Sequence, residues 1–139
     1  MKALVIDASV AVKWFLPEKD SEQAARLLSG TRRLVAPDLL WIEVAAVLWK
    51  VVRRSAITPD EAHRIIADAA AFPVETIESF SLLPEAMRIA METGRTVYDS
   101  LYVSLAAVER SAVVTADERL VNALSQTTWA RHVVLLGVD

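Results

Sequence analysis

The stretch ALVIDASVAVKW, residues 3–14, decides the fold. Its first four residues, Ala3 to Ile6, form an apolar run of strand length, and the residues after Asp7 carry helical periodicity. The same alternation repeats along the chain. LVA (34–36), VETI (74–77), AVVT (112–115) and VVLL (133–136) read as further buried strands. Helices are expected over 9–15, 20–29, 38–54, 59–71, 80–93, 97–109 and 117–125. Strands that alternate with helices pair in parallel through right-handed crossovers, so the expected fold is a three-layer α/β/α domain. Its working site should lie at the carboxyl ends of the central strands. No linker, repeat or low-complexity tract interrupts the chain, and one domain over residues 1–139 is expected.

Composition narrows the classes. Hydrophobic residues make up 54% of the chain, and the mean hydropathy of +0.34 is high. Yet no apolar run approaches the roughly 20 residues that cross a bilayer, so the surplus points to a subunit or partner interface and not to a membrane. MKALVI begins like a signal peptide until Asp7 interrupts it, and no cleavage pattern follows. The absence of cysteine excludes disulfides and thiolate metal sites. A cytoplasmic protein is expected. Fifteen basic against 18 acidic residues give a net charge of −3, unlike a nonspecific nucleic-acid binder.

Four acids stand isolated in apolar sequence. Asp7 is the only charge between Lys2 and Lys13, Glu43 the only one from Leu39 to Trp49, and Asp99 the only one between Arg95 and Glu109. Asp117 is the first charge after Arg110. Burying an unpaired carboxylate costs several kcal/mol, so each needs a partner or a purpose. Helix capping is one purpose. Thr96-x-x-Asp99 and Thr115-x-x-Glu118 approximate capping boxes, Thr58, Pro59 and Glu61 fit an ordinary helix start, and Asp7 or Ser9 suits the N-cap of the first helix. Glu43 lies inside its helix, where capping does not apply.

A shared site is the other purpose. If the first and fourth strands pair at the centre of the sheet, Asp7 and Asp117 become neighbours where the strand order reverses. A helix start carrying Asp99 and a helix flank carrying Glu43 would close a cage of carboxylates. Four such acids cannot all stay ionised without a cation. Oxygen ligands without cysteine select Mg²⁺ or Mn²⁺, and that ion points to phosphodiester hydrolysis. Crowded acids repel, so Asp99→Asn is expected to stabilise the metal-free protein.

VIDASVAVKWFLPE (5–18), APDLLWIEVAAVLWK (36–50), TVYDSLYVSLA (96–106) and VVTADERL (113–120) together resemble PIN-domain proteins, and among them the VapC toxin ribonucleases of bacterial toxin–antitoxin pairs. The resemblance covers nearly the whole chain, in the family's order and spacing. It implies a five-stranded parallel sheet flanked by about seven helices, and a Mg²⁺-dependent endoribonuclease in which Mn²⁺ substitutes. The implied catalytic and metal-binding residues are Asp7, Glu43, Asp99 and Asp117, with Glu118 the alternative at the fourth position. Ser9 supplies the small hydroxyl that the family carries two positions after its first acid, and Thr115 stands where it can orient the fourth acid or a water. The implied partners are an RNA substrate, a VapB-like antitoxin and a second copy of the chain.

Other residues divide between quiet and functional readings. Removing the four site acids from the 18 leaves 14 against 15 bases, so a loaded metal could turn the pocket attractive to phosphate. Arg95 and Arg119, each near a site acid, are either backbone phosphate contacts or solvated surface residues. Trp41 shares a helical stripe with Ala45, Leu48 and Val52, which makes it core or interface. Trp14 and Phe15, at the end of a short helix, are candidates to line a groove for an antitoxin segment. His63 and His132 read as surface or packing residues and not as metal ligands, and acyl-transfer triads find no support. The rival readings are a phosphoacceptor module, a catalytically idle RNA-binding module and a structure-specific DNA nuclease. The first expects paired acids after strand one and an acceptor after strand three, where this chain has a lone Asp7 and VETIES. The last lacks room for clamp elements.

Overall fold

All five expected strands join one parallel sheet. In the computed structural model, which describes residues 2–138, β1 (Leu4–Ile6), β2 (Leu34–Pro37), β3 (Val74–Ile77), β4 (Val113–Thr115) and β5 (Val133–Leu135) lie in the order β3-β2-β1-β4-β5. The outer bounds expected for the domain, residues 1 and 139, lie outside the described residues. Strands covered by helices on both faces need unbroken apolar runs. β1, β2 and β4 meet that need and are buried at every residue, whereas β3, at the edge, exposes Glu75 and Thr76. The chain builds from β1 through β2 to β3, then crosses to β4 and β5 on the other side. β1 and β4 therefore pair at the reversal, with Ile6 opposite Val114. A crevice opens there at the carboxyl ends of the two strands.

Seven α-helices cover the sheet: α1 (Ala8–Ala11), α2 (Ser21–Ser29), α3 (Leu39–Arg53), α4 (Pro59–Ala69), α5 (Leu83–Thr93), α6 (Val97–Val108) and α7 (Glu118–Leu124). Two depart from expectation, both for reasons of proline. The helix expected over 9–15 is one α-turn followed by a 3-10 turn at Val12–Trp14. Leu16 precedes Pro17, whose ring disfavours helical backbone before it, so the helix cannot run on. The helix expected from residue 80 begins instead at Leu83, after a 3-10 turn at Ser79–Leu82, because Pro84 fits a first helical turn where its missing N–H is not needed. α4 starts as its sequence predicts, with Thr58 and Glu61 exchanging hydrogen bonds of 3.1 Å in both directions.

α6 is the helix on which the core closes. Every residue from Ser100 to Ala106 is buried, against β1 and β2 on one side and α5 on another. α5 ends at Gly94, whose left-handed φ of 75° a residue with a side chain adopts only under strain, and the chain turns at once into α6. Among the described residues no helix is long and apolar enough to cross a membrane. The Ser100 hydroxyl is the one buried side-chain polar atom among them without a hydrogen-bond partner.

Two substitutions in α6 should therefore act in opposite directions. Leu105→Ala, at a residue 1% exposed, is expected to lower stability by about 2–5 kcal/mol. Ser100→Ala removes an unsatisfied hydroxyl and should raise it by about 1 kcal/mol. Urea unfolding of both variants measures the pair, and a destabilised Ser100→Ala protein would mean that the hydroxyl has a partner.

Candidate active site

Asp7 follows β1 directly and occupies the N-cap of α1. It is 9% exposed. Its Oδ2 accepts from Ser9 Oγ at 2.5 Å and from Thr115 Oγ1 at 2.9 Å. The same hydroxyls receive backbone N–H groups: Ala116 donates across the crevice to Ser9 Oγ at 3.0 Å, and Asp117 donates locally to Thr115 Oγ1 at 3.1 Å. One carboxylate thus ties the end of β1 to the end of β4. Burial pushes the Asp7 carboxyl above its ordinary value of 3.8 even though both hydroxyls oppose it, and Asp99 pushes the same way.

Glu43 projects from the second turn of α3 and is half-buried. Its Oε1 accepts from Tyr102 Oη at 2.7 Å. Burial again raises the carboxyl; the tyrosine hydrogen bond opposes the shift, and Asp7 and then Asp99 add to it. Tyr102 is 1% exposed, and burial together with the Glu43 charge holds its phenol above the usual range, so it remains a proton donor. Nothing in the sequence singled Tyr102 out. The signal was available all the same, because Tyr102 lies three residues after Asp99 and so on the same helical face.

Asp99 lies in the first turn of α6, whose N-cap is Thr96. The Asp99 N–H donates to Thr96 Oγ1 at 3.0 Å, which is half of a capping box. The carboxylate leaves the other half unmade and turns to Arg95, whose Nη2 and Nε donate to Oδ2 at 2.9 and 3.2 Å. Arg95 Nη2 also stands 3.7 Å from Asp117 Oδ2. A guanidinium therefore spans the two acids. Asp117 caps α7 by accepting from the Arg119 N–H at 2.9 Å, while Glu118 is exposed in the first turn. Thr115 serves Asp7 and the Asp117 backbone and does not cap a helix.

Asp7, Glu43 and Asp99 thus face one crevice: Asp99 disfavours ionisation of Asp7, both disfavour ionisation of Glu43, and Asp117 joins them through Arg95. The expected cage is not closed. Among the described residues no three acidic or histidine side chains converge tightly enough to grip an ion as they stand. The donor set nevertheless suits a hard divalent cation: it is all oxygen, and burial with mutual repulsion raises two of the carboxyls. Arg95, a candidate for phosphate contact, is committed to the acids. Arg119 reaches Asp117 Oδ1 at 3.3 Å with its side chain 85% exposed.

Trp14 and Phe15 are half-buried among aromatic neighbours. Trp14 stacks on Phe72 at 5.5 Å between centroids and donates from Nε1 to the Ala24 carbonyl at 2.8 Å. Phe15 meets Phe72 at 4.6 Å and Trp41 at 6.3 Å. Beyond Trp41 lies an apolar cleft of about 420 Å³, lined by residues of α3 and α4, Ile42 and Ile66 among them. Phe15 backs that cleft through Trp41, and neither it nor Trp14 lines it.

Residues 4–123 match the PIN domain family. The chain belongs to that family. It is 37% identical over 119 residues to Ribonuclease VapC3 of Pyrobaculum aerophilum, across 84% of this chain and 91% of that one. A crystal structure of a Pyrobaculum aerophilum protein shares the PIN fold with a TM-score of 0.66 at 24% identity, covering 88% of this chain and 79% of the other. A toxin–antitoxin complex from Klebsiella pneumoniae does so with 0.67 at 12%, covering 95% and 96%. At those two identities the likeness is one of fold.

In this PIN domain the penalty expected at Asp99 falls on Asp7, chiefly through burial and less through the Asp99 charge; Arg95 pairs with Asp99, and among the described residues no cation pairs with Asp7. Asp7 holds its proton more tightly folded than unfolded. Folding therefore takes up a proton between pH 3.8 and the higher folded value, and stability falls as pH rises through that interval. Asparagine keeps an oxygen for Ser9 and Thr115 and abolishes the loss. In EDTA, Asp7→Asn should melt above wild type at neutral pH, with the gap closing below about pH 4, and Asp99→Asn, which strands Arg95, should melt below it. Equal melting of wild type and Asp7→Asn at pH 7 would show that the Asp7 charge is fully compensated.

Proposed function

We propose that this chain is a cytoplasmic, Mg²⁺-dependent endoribonuclease toxin of the VapC type, held in check by a VapB-like antitoxin. The observation that carries the proposal is the grouping of Asp7, Glu43 and Asp99 around the crevice at the β1–β4 reversal, within electrostatic reach of Glu43, in a PIN domain similar to Ribonuclease VapC3. Those three side chains would hold Mg²⁺, or Mn²⁺ in its place, with Asp117 or Glu118 as the fourth ligand. When bound, the cation stabilises charge on the phosphodiester oxygens and makes a water more acidic. The reaction is hydrolysis: a water oxygen bonds to phosphorus, one P–O ester bond breaks, and the departing ribose oxygen takes a proton.

The chain's own residues position the parts. Ser9 and Thr115 hold Oδ2 of Asp7, which leaves Oδ1 for the site. Tyr102 holds Oε1 of Glu43 and leaves Oε2. Arg95 keeps Asp99 and Asp117 on one side of the crevice, and Arg119, exposed at its rim, is placed for a phosphate. The apolar α3–α4 cleft, backed by Phe15 and Trp41, supports an antitoxin segment as its occupant. Phe80, Met87 and Met91, exposed by 76%, 46% and 78%, support a homodimer face on α5 and the turn before it.

Purified protein should cut single-stranded RNA in Mg²⁺ or Mn²⁺, leave DNA of the same sequence intact, and stop in EDTA. Asp7→Asn, Glu43→Gln and Asp99→Asn should each reduce the rate by about 100-fold or more. Gel analysis of end-labelled RNA reads all of these. Cleavage that survives EDTA, or that all three variants retain, would remove the site from the mechanism; RNA bound but uncut would favour the idle binding module.

A further inference from the structure

The acids that would cut RNA leave little on their own rim to hold it. Affinity for nucleic acid comes mainly from cations on backbone phosphates. Around the crevice Arg95 is engaged by two carboxylates, and Arg119 is close to one. Arg119 is thus the one rim arginine placed for a phosphate, and a longer strand gains further affinity only from another surface.

Such a surface lies at the opposite end of the sheet. The segments that lead into β1, β2, β4 and β5 bound a cleft of about 1020 Å³ together with α5, the end of α6 and the turn before β5. Five cations line it: Lys2, Arg32, Arg88, Arg110 and Arg131. Glu85 is the one carboxylate among its lining residues, and it is paired with Arg88. Among the described residues Arg32, Arg110 and Arg131 make no ion pair with any acid. Arg32 is instead held by neutral groups, donating to the Lys2 carbonyl at 3.3 Å and to Ser111 Oγ at 3.1 Å. Arg110 and Arg131 are exposed. Arg110 leaves α6 in a left-handed conformation, φ 53°, which its N–H to Ala107 carbonyl bond of 3.1 Å helps to hold.

A protein with net charge −3 has thus gathered uncompensated arginines at one concave place. Arginine's planar fork matches phosphate oxygens, and an acidic surface elsewhere leaves no nonspecific reason for the concentration. We propose that this amino-end cleft is a second RNA-binding site, which grips the phosphodiester backbone of a strand whose scissile bond lies at the acids on the far side of the sheet. The proposal rests on the ribonuclease reading above and adds to it a length dependence: only an RNA long enough to pass from one end of the sheet to the other gains from the cleft. Contacts to phosphate carry no sequence information, so the grip is indifferent to base.

Fluorescence anisotropy with labelled single-stranded RNA, on protein carrying Asp7→Asn to prevent cleavage, measures the site directly. Neutralising Arg32, Arg110 and Arg131 to Gln should weaken binding by about 10-fold or more, to a similar degree for unrelated sequences, and flatten the slope of log affinity against log salt by about 2. Neutralising Arg53, Arg54 and Arg64 to Gln should change it less than about 2-fold. Arg131→Glu alone, at an exposed position, should act in the same direction as the triple variant. In the active background the cleft variants should keep wild-type turnover of a trinucleotide and lose kcat/KM on a long RNA. Equal RNA affinity of the parent and the cleft variants overturns the proposal, as does displacement of nothing but an acidic polypeptide such as polyglutamate, which would assign the cleft to a protein. Failure of wild type to cut even the trinucleotide with Mg²⁺ would strike the ribonuclease reading itself, whatever the anisotropy shows.

Discussion

Where β1 and β4 part, the Asp7 carboxylate is buried with both its strong hydrogen bonds on one oxygen, from Ser9 and from Thr115. Those hydroxyls accept from the backbone of Ala116 and Asp117, so the loop after β4 is held to the corner after β1. Every other site residue is placed relative to that junction. α3 brings Glu43 to it, and α6 brings Asp99 and Tyr102. The cost of a buried carboxylate is met only in part by two neutral donors, and the remainder appears as a raised proton affinity. The cation proposed for this site would relieve the unfavourable charge that the fold has concentrated there.

Arg95 shows how the fold tolerates its crowded acids. It approaches Asp99 and Asp117 together and keeps the two acids from repelling each other. An Arg–carboxylate pair with both side chains about a quarter exposed contributes little net stability. Its consequence is electrostatic: Asp99 and Asp117 are neutralised by the chain itself, while Asp7 and Glu43 are left with hydrogen bonds alone. The division between compensated and uncompensated acids is a property of side-chain placement on α6 and α7, and not of the acids themselves.

The charge distribution places opposite signs at opposite ends of one small sheet. Parallel strands make this possible, since all five carboxyl ends lie on one side and all five amino ends on the other. Acids that follow β1 and β4 collect at one end. Basic residues that precede β1 and β2, such as Lys2 and Arg32, collect at the other with those that end α6 and lead into β5. The net charge of −3 conceals both accumulations, because composition sums over the whole chain.

The local rules sufficed for much of the fold. Five apolar runs of strand length between helical segments dictated a parallel α/β sheet, because no other packing covers both faces of such strands. Isolation in apolar sequence singled out Asp7, Glu43, Asp99 and Asp117, since a charge kept at such a position needs a reason that neighbours in sequence do not supply. Two helix boundaries shifted where Pro17 and Pro84 acted on their own turns. What contacts each acid was beyond local reading. Arg95 and Tyr102 lie within four residues of Asp99, yet whether they meet that acid, Glu43 or solvent depends on how α6 is rotated against α3 and α7. The same holds for the basic cleft, whose arginines come from four places in the chain. Period and spacing determine which residues share a face of one element; only the packing of elements determines which faces meet, because that choice is made by the burial of the whole core at once.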